Sequence, residues 1–163
     1  MKWIREYFIK KALMKKNKKG VNKEILVTDK IKKVTVIADN LEDLEVVFEV
    51  LKESFGQDIA LKGIYYDEKS QDQRAFGFRD FSLFGKPGEK VANFLSEKQD
   101  LIIFTSELLN NFTLYLLHQM PEPYTIGFYS KELKPYLDLM LNKEVKDIKA
   151  GTEHLIKYLK QIN

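Results

Sequence analysis

Asp100-Leu-Ile-Ile-Phe-Thr-Ser106, then Glu107-Leu-Leu-Asn-Asn-Phe-Thr-Leu-Tyr-Leu-Leu-His-Gln-Met120, Pro121-Glu-Pro123 and Tyr124-Thr-Ile-Gly-Phe-Tyr-Ser130 form the stretch that decides the fold. Leu101 to Phe104 is apolar without alternation, as suits a strand buried on both faces. Ser106 is placed to cap a helix that Glu107 and Leu108 open. Pro121 and Pro123 stop that helix, because proline lacks the amide donor and clashes with the preceding turn. Tyr124 to Tyr129 is rich in aromatic and β-branched residues and returns as a second strand. Strand, helix and strand at this spacing make a right-handed βαβ unit.

Working outward, Val34 to Ala38 reads as the first core strand, followed by Asp39-Asn40 and a helix over Leu41 to Phe55. That helix turns Leu44, Val47, Phe48 and Leu51 inward, and Gly56 closes it. Ile59 to Tyr66 is the second strand. Residues 67–74 are polar and read as an exposed loop. Phe76 to Pro87 holds four phenylalanines and two glycines without a clear period. It reads either as a loop whose aromatics plug the sheet edge or as a binding loop. A short helix follows over Gly88 to Ser96. Beyond Ser130 come a turn at Lys131 to Lys134, a short strand over Leu137 to Leu141, and a final helix over Val145 to Ile162. Five strands alternating with helices predict a three-layer α/β domain with a mostly parallel open sheet, Rossmann-like or flavodoxin-like.

Residues 1–20 read as a basic amphipathic helix added to a single α/β domain over 21–163. Trp3, Ile4, Tyr7, Phe8 and Met14 fall along one stripe, with Gly20 as the stop. The first 33 residues carry 12 Lys or Arg against 3 Asp or Glu, a net of +9, and the remainder carries 15 against 21, a net of −6. On one reading the aromatic stripe docks on the body and the lysines are solvated. On the other, Lys2, Arg5, Lys10, Lys11, Lys15, Lys16, Lys18 and Lys19 contact nucleic acid or an anionic membrane surface.

The chain has no cysteine, which removes disulfides, thiolate catalysis and zinc ribbons. His118 and His154 are its only histidines, and neither is paired in sequence with a serine or carboxylate, so both read as structural. No apolar run approaches the ~20 residues needed to cross a bilayer, and no signal peptide is evident. The expected location is cytoplasmic, with peripheral membrane contact if the basic helix makes it.

The chain also resembles a family of small uncharacterised proteins, a domain of unknown function found mainly in Bacteroidetes. Phe84-Gly85-Lys86, the segment Phe94 to Ile103, Ile126-Gly127-Phe128, Leu137 to Asn142 and Leu155 to Leu159 carry the resemblance, together with the lysine-rich N-terminal helix. The family has no assigned activity, so the resemblance implies no catalytic residues.

In open parallel sheets, ligands bind beyond the carboxyl ends of the strands. Asp39, Asn40, Thr105, Ser106 and Ser130 occupy those ends and are the candidate ligand-binding residues. There is no glycine-rich dinucleotide fingerprint, phosphate loop or nucleophile elbow, and the central strand ends without the aspartate of a response regulator. No cofactor, metal or catalytic residue is therefore expected. Two functions follow as expectations. The first is a non-enzymatic binding or assembly module, with self-association as one option, whose basic helix contacts an anionic partner. The alternative is an enzyme or sensor that binds a nucleotide or phosphorylated small molecule at the strand ends.

Overall fold

The computed structural model describes residues 1–15, 28–143 and 147–162. Its helices are α1 (Lys2–Leu13), α2 (Leu41–Phe55), α3 (Glu89–Ser96), α4 (Asn111–His118) and α5 (Ile148–Gln161). Its strands are β1 (Lys33–Ala38), β2 (Ala60–Tyr66), β3 (Ala75–Phe76), β4 (Leu101–Phe104), β5 (Tyr124–Phe128) and β6 (Leu139–Leu141). They form one sheet in the order β3-β2-β1-β4-β5-β6, and every pairing is parallel.

The strand order reverses between β1 and β4. From β1 the chain crosses through α2 to β2 on one side, and from β4 it crosses through α4 to β5 on the other. Right-handed crossovers that leave in opposite directions deposit their helices on opposite faces of the sheet. Val34, Val36, Leu101 and Ile103 accordingly pack with Leu44, Val47, Leu155 and Leu159 of α2 and α5. Ile37, Ile102 and Phe104 pack on the other face with Ile9, Phe94, Phe112 and Leu116 of α1, α3 and α4. The central strands are apolar in both directions because both faces are covered. Gly127 lets β5 lie close to β4, since a Cβ there would stand 2.6 Å from the Phe104 carbonyl oxygen.

The α/β three-layer reading holds, and four details differ. The sheet has six strands rather than five, because Ala75 and Phe76 pair with Tyr65 and Tyr66 at the edge. This short edge strand lies in the aromatic segment, whose Phe76 and Phe81 are buried. Helix α4 starts at Asn111, not at Glu107. Asn110 is its cap, accepting the Thr113 amide at 2.9 Å, while Ser106 points elsewhere. Strand β6 begins at Leu139, since the Asp138 carboxylate instead accepts the Thr125 amide at 2.8 Å.

The fourth difference concerns α1, which packs beside α4 with Ile9 fully buried and Ala12 and Leu13 partly so. Trp3, Tyr7 and Met14 are 71%, 58% and 86% exposed. Trp3, Tyr7 and Met14 therefore face solvent, while Ile4 and Phe8 at the edge of the stripe are half-buried, because the opposite side supplies the branched and small residues that fit against α4. The expected Gly20 stop, the short apolar run Ile25 to Val27 in the polar connector before β1, and the Val145 start of the last helix lie outside the described residues.

Candidate functional site

The reversal point brings Asp39, just past β1, against Ser106, just past β4. The Ser106 hydroxyl donates to Asp39 Oδ1 at 2.5 Å. The Leu108 amide donates to the same oxygen at 3.0 Å, and the Glu107 amide faces both oxygens at 3.1 and 2.9 Å. Consecutive amides converging on one point are a natural seat for an anion. Here the chain's own carboxylate fills that seat, with charge-assisted bonds.

The surroundings are acidic. Asn40 caps α2, accepting the Asp43 amide at 2.8 Å. The Asp43 carboxyl is raised above its ordinary value first by burial, then by the charges of Asp39 and Glu42. Lys143 pairs with Glu107 at 2.8 Å. Thr105 is buried, with its amide on the Ile37 carbonyl at 2.9 Å and its hydroxyl on the same oxygen at 3.4 Å. Ser130 donates to Glu132 at 2.9 Å. Of the five strand-end residues, only Asp39 and Ser106 are brought into direct contact, and their bond leaves the nearby amides already engaged. Among the described residues, no group of three or more His, Asp or Glu side chains converges as metal ligands.

The second candidate is α1. Two of its basic residues serve the body. Lys2 pairs with Glu68 at 2.6 Å, and the Arg5 Nε donates to the Phe81 carbonyl at 2.9 Å. Both cations also lie over the Phe78 ring. The Lys2 and Tyr66 hydrogen bonds hold the Glu68 carboxyl below its ordinary value. Lys10, Lys11 and Lys15 are exposed and make no ion pair among the described residues. Lys16, Lys18 and Lys19 lie outside the described residues.

Beside this helix the aromatic segment, expected as an irregular loop, closes in a tight hairpin. Phe81 bridges Pro87, the Ser82 amide donates to the Lys86 carbonyl at 2.8 Å, and the Gly85 amide donates to the Ser82 carbonyl at 2.9 Å. Gly85 takes φ 76°, a conformation that glycine adopts without penalty. Serine in the first position and glycine in the fourth were the available signal for the turn. Its two central residues, Leu83 and Phe84, are 43% and 68% exposed. The Phe8 ring meets Phe84 at 5.5 Å and Tyr7 at 5.2 Å, both edge to face. Between this tip, α1 and the end of α4 runs a groove of about 730 Å³, with Lys11, Lys15 and Lys86 on its walls.

A family model described as a family of unknown function (DUF6913) matches residues 5–162. The chain belongs to that family. The match takes in the Asp39–Ser106 junction and α1 from Arg5 onward. A search of the curated proteins found no match.

Proposed function

We propose that the chain is a non-enzymatic binding or assembly module whose N-terminal helix contacts an anionic partner through its outward face. The observation that carries this reading is the division of labour around α1. Ile9, Ala12 and Leu13 hold the helix on the body, and Trp3, Tyr7 and Met14 remain exposed beside Lys10, Lys11 and Lys15. A helix that already has a docked side gains nothing in folding from three large apolar side chains in water. Positive charge interleaved with them favours an anionic counterpart.

The nucleotide or phosphate alternative at the strand ends has weaker support. A phosphate there would have to displace Asp39 from its three donors while facing Asp43 and Glu107. Two charged groups of the same sign in one small site oppose each other strongly.

The test is elution from a heparin column, heparin serving as a generic polyanion. Lys10→Gln/Lys11→Gln/Lys15→Gln should elute at clearly lower salt than the parent chain, because surface attraction of this kind is screened by salt. Equal elution positions would overturn the reading.

A further inference from the structure

The geometry points to an anionic lipid surface as that partner, with the Leu83-Phe84 hairpin tip as a second anchor alongside α1. This inference rests on the binding reading above and narrows it to one partner.

The first argument is shape. Trp3, Tyr7 and Met14 fall within about 40° of one another around a helix of 3.6 residues per turn. The stripe is continued off the helix by contact between side chains: Tyr7 packs against Phe8, and Phe8 against Phe84. The result is a helix lying flat with an apolar tip beside it, anchored by the Phe81–Pro87 bridge. Tight turns ordinarily carry Gly, Asn, Asp or Ser at their centre. Leucine and phenylalanine held there in water indicate that the tip is buried elsewhere.

The second argument is chemistry. Leu83 and Met14 have no aromatic face on which a nucleobase could stack, whereas acyl chains accept aliphatic and aromatic side chains alike. Lys10, Lys11, Lys15 and Lys86 are exposed around the apolar residues. Lysines around an inserted apolar face are attracted to anionic headgroups. Three of them reach into the groove of about 730 Å³ beside the tip, which has room for a headgroup.

The third argument is orientation. Glu42, Glu45, Glu49 and Glu53 are exposed on α2, across the sheet from α1. An anionic surface attracts the α1 face and repels the α2 face, so the fold's own layers set which side approaches.

The experiment is co-sedimentation of the full chain with phosphatidylcholine vesicles, with mixed phosphatidylcholine–phosphatidylglycerol vesicles, and a parallel titration with single-stranded RNA. The parent chain is expected to pellet with the mixed vesicles and not with phosphatidylcholine alone. Leu83→Ser/Phe84→Ser should partition at least ~10-fold more weakly, since two apolar side chains no longer insert. Because both residues are exposed, this variant keeps its fold, which circular dichroism checks. Equal partitioning of the variant overturns the hairpin anchor. RNA binding without vesicle binding overturns the lipid partner and leaves the anionic-partner reading standing. Binding to neither overturns both.

Discussion

The Phe84 ring stands edge to face against Phe8, with centroids 5.5 Å apart and planes at 72°. This contact makes α1 and the hairpin tip one surface. Three residues before Phe84, Phe81 is buried among Phe76, Phe112 and Tyr115. The same short segment thus has one anchor in the core and one in solvent. In urea unfolding, Phe81→Ala should cost about 3–5 kcal/mol. Leu83→Ser/Phe84→Ser loses only the Phe84–Phe8 pair and should cost no more than about 1.5 kcal/mol. A large loss for the second variant would mean that the tip is part of the core.

Asp39 is the acceptor for one hydroxyl and two amides across the β1–β4 junction. Asp39→Ala leaves the buried Ser106 hydroxyl without that partner, and the expected loss is about 1–3 kcal/mol. Asp39→Asn keeps one acceptor oxygen and should lose less. Chemical denaturation of the three proteins checks the order, and an Asp39→Ala chain as stable as its parent would remove Asp39 as the junction's fastener.

Much of the fold was legible because the central strands obey local rules. Leu101 to Phe104 carries its burial in its composition, and Asn40 and Gly56 mark the ends of α2 as cap and stop. The start of α4 was not legible. Ser106 is a good cap by type, but its hydroxyl is taken by a carboxylate 67 positions away, and Asn110 caps the helix instead. The face of α1 was misread for a related reason. Trp3, Tyr7 and Met14 outweigh Ile9, Ala12 and Leu13 in apolar bulk, yet fit against α4 decides which side docks. The aromatic segment showed no period because it holds a two-residue strand, a single helical turn and a tight hairpin in succession. Asp39 and Ser106 were singled out as ligand residues, but their engagement with each other depends on the strand order.

Thr35 sits fully buried in β1, between Lys62 and Ile102 of the neighbouring strands, and its hydroxyl has no hydrogen-bond partner among the described residues. Valine has nearly the same shape and no hydroxyl to desolvate. Thr35→Val is expected to stabilise the chain by about 1 kcal/mol, read as a rise in the denaturation midpoint. A loss of stability would show that the hydroxyl has a partner in solution.

His118 gives a pH signature. Burial holds its imidazole below the ordinary value of 6.5, next to the Tyr136 hydroxyl at 3.2 Å. The unfolded chain therefore takes up the proton first as pH falls. The stability tied to neutral His118 is complete above pH 6.5 and is lost as pH drops through the lower, folded-state value. Glu68, also lowered, loses its contribution only in the more acidic range below 4.5. Melting temperatures measured from pH 7.5 down to 5 should fall for the parent chain and flatten for His118→Gln. Identical slopes would contradict the assignment.

Trp3 is the chain's only tryptophan, and it stands on the exposed stripe of α1. Its fluorescence thus reports directly on the face proposed to meet the partner. On addition of mixed phosphatidylcholine–phosphatidylglycerol vesicles, the emission should shift to the blue as the indole leaves water, and high salt should reverse the shift. An emission maximum that stays at its lipid-free position, at lipid concentrations well above the protein, would contradict the lipid-facing role of α1.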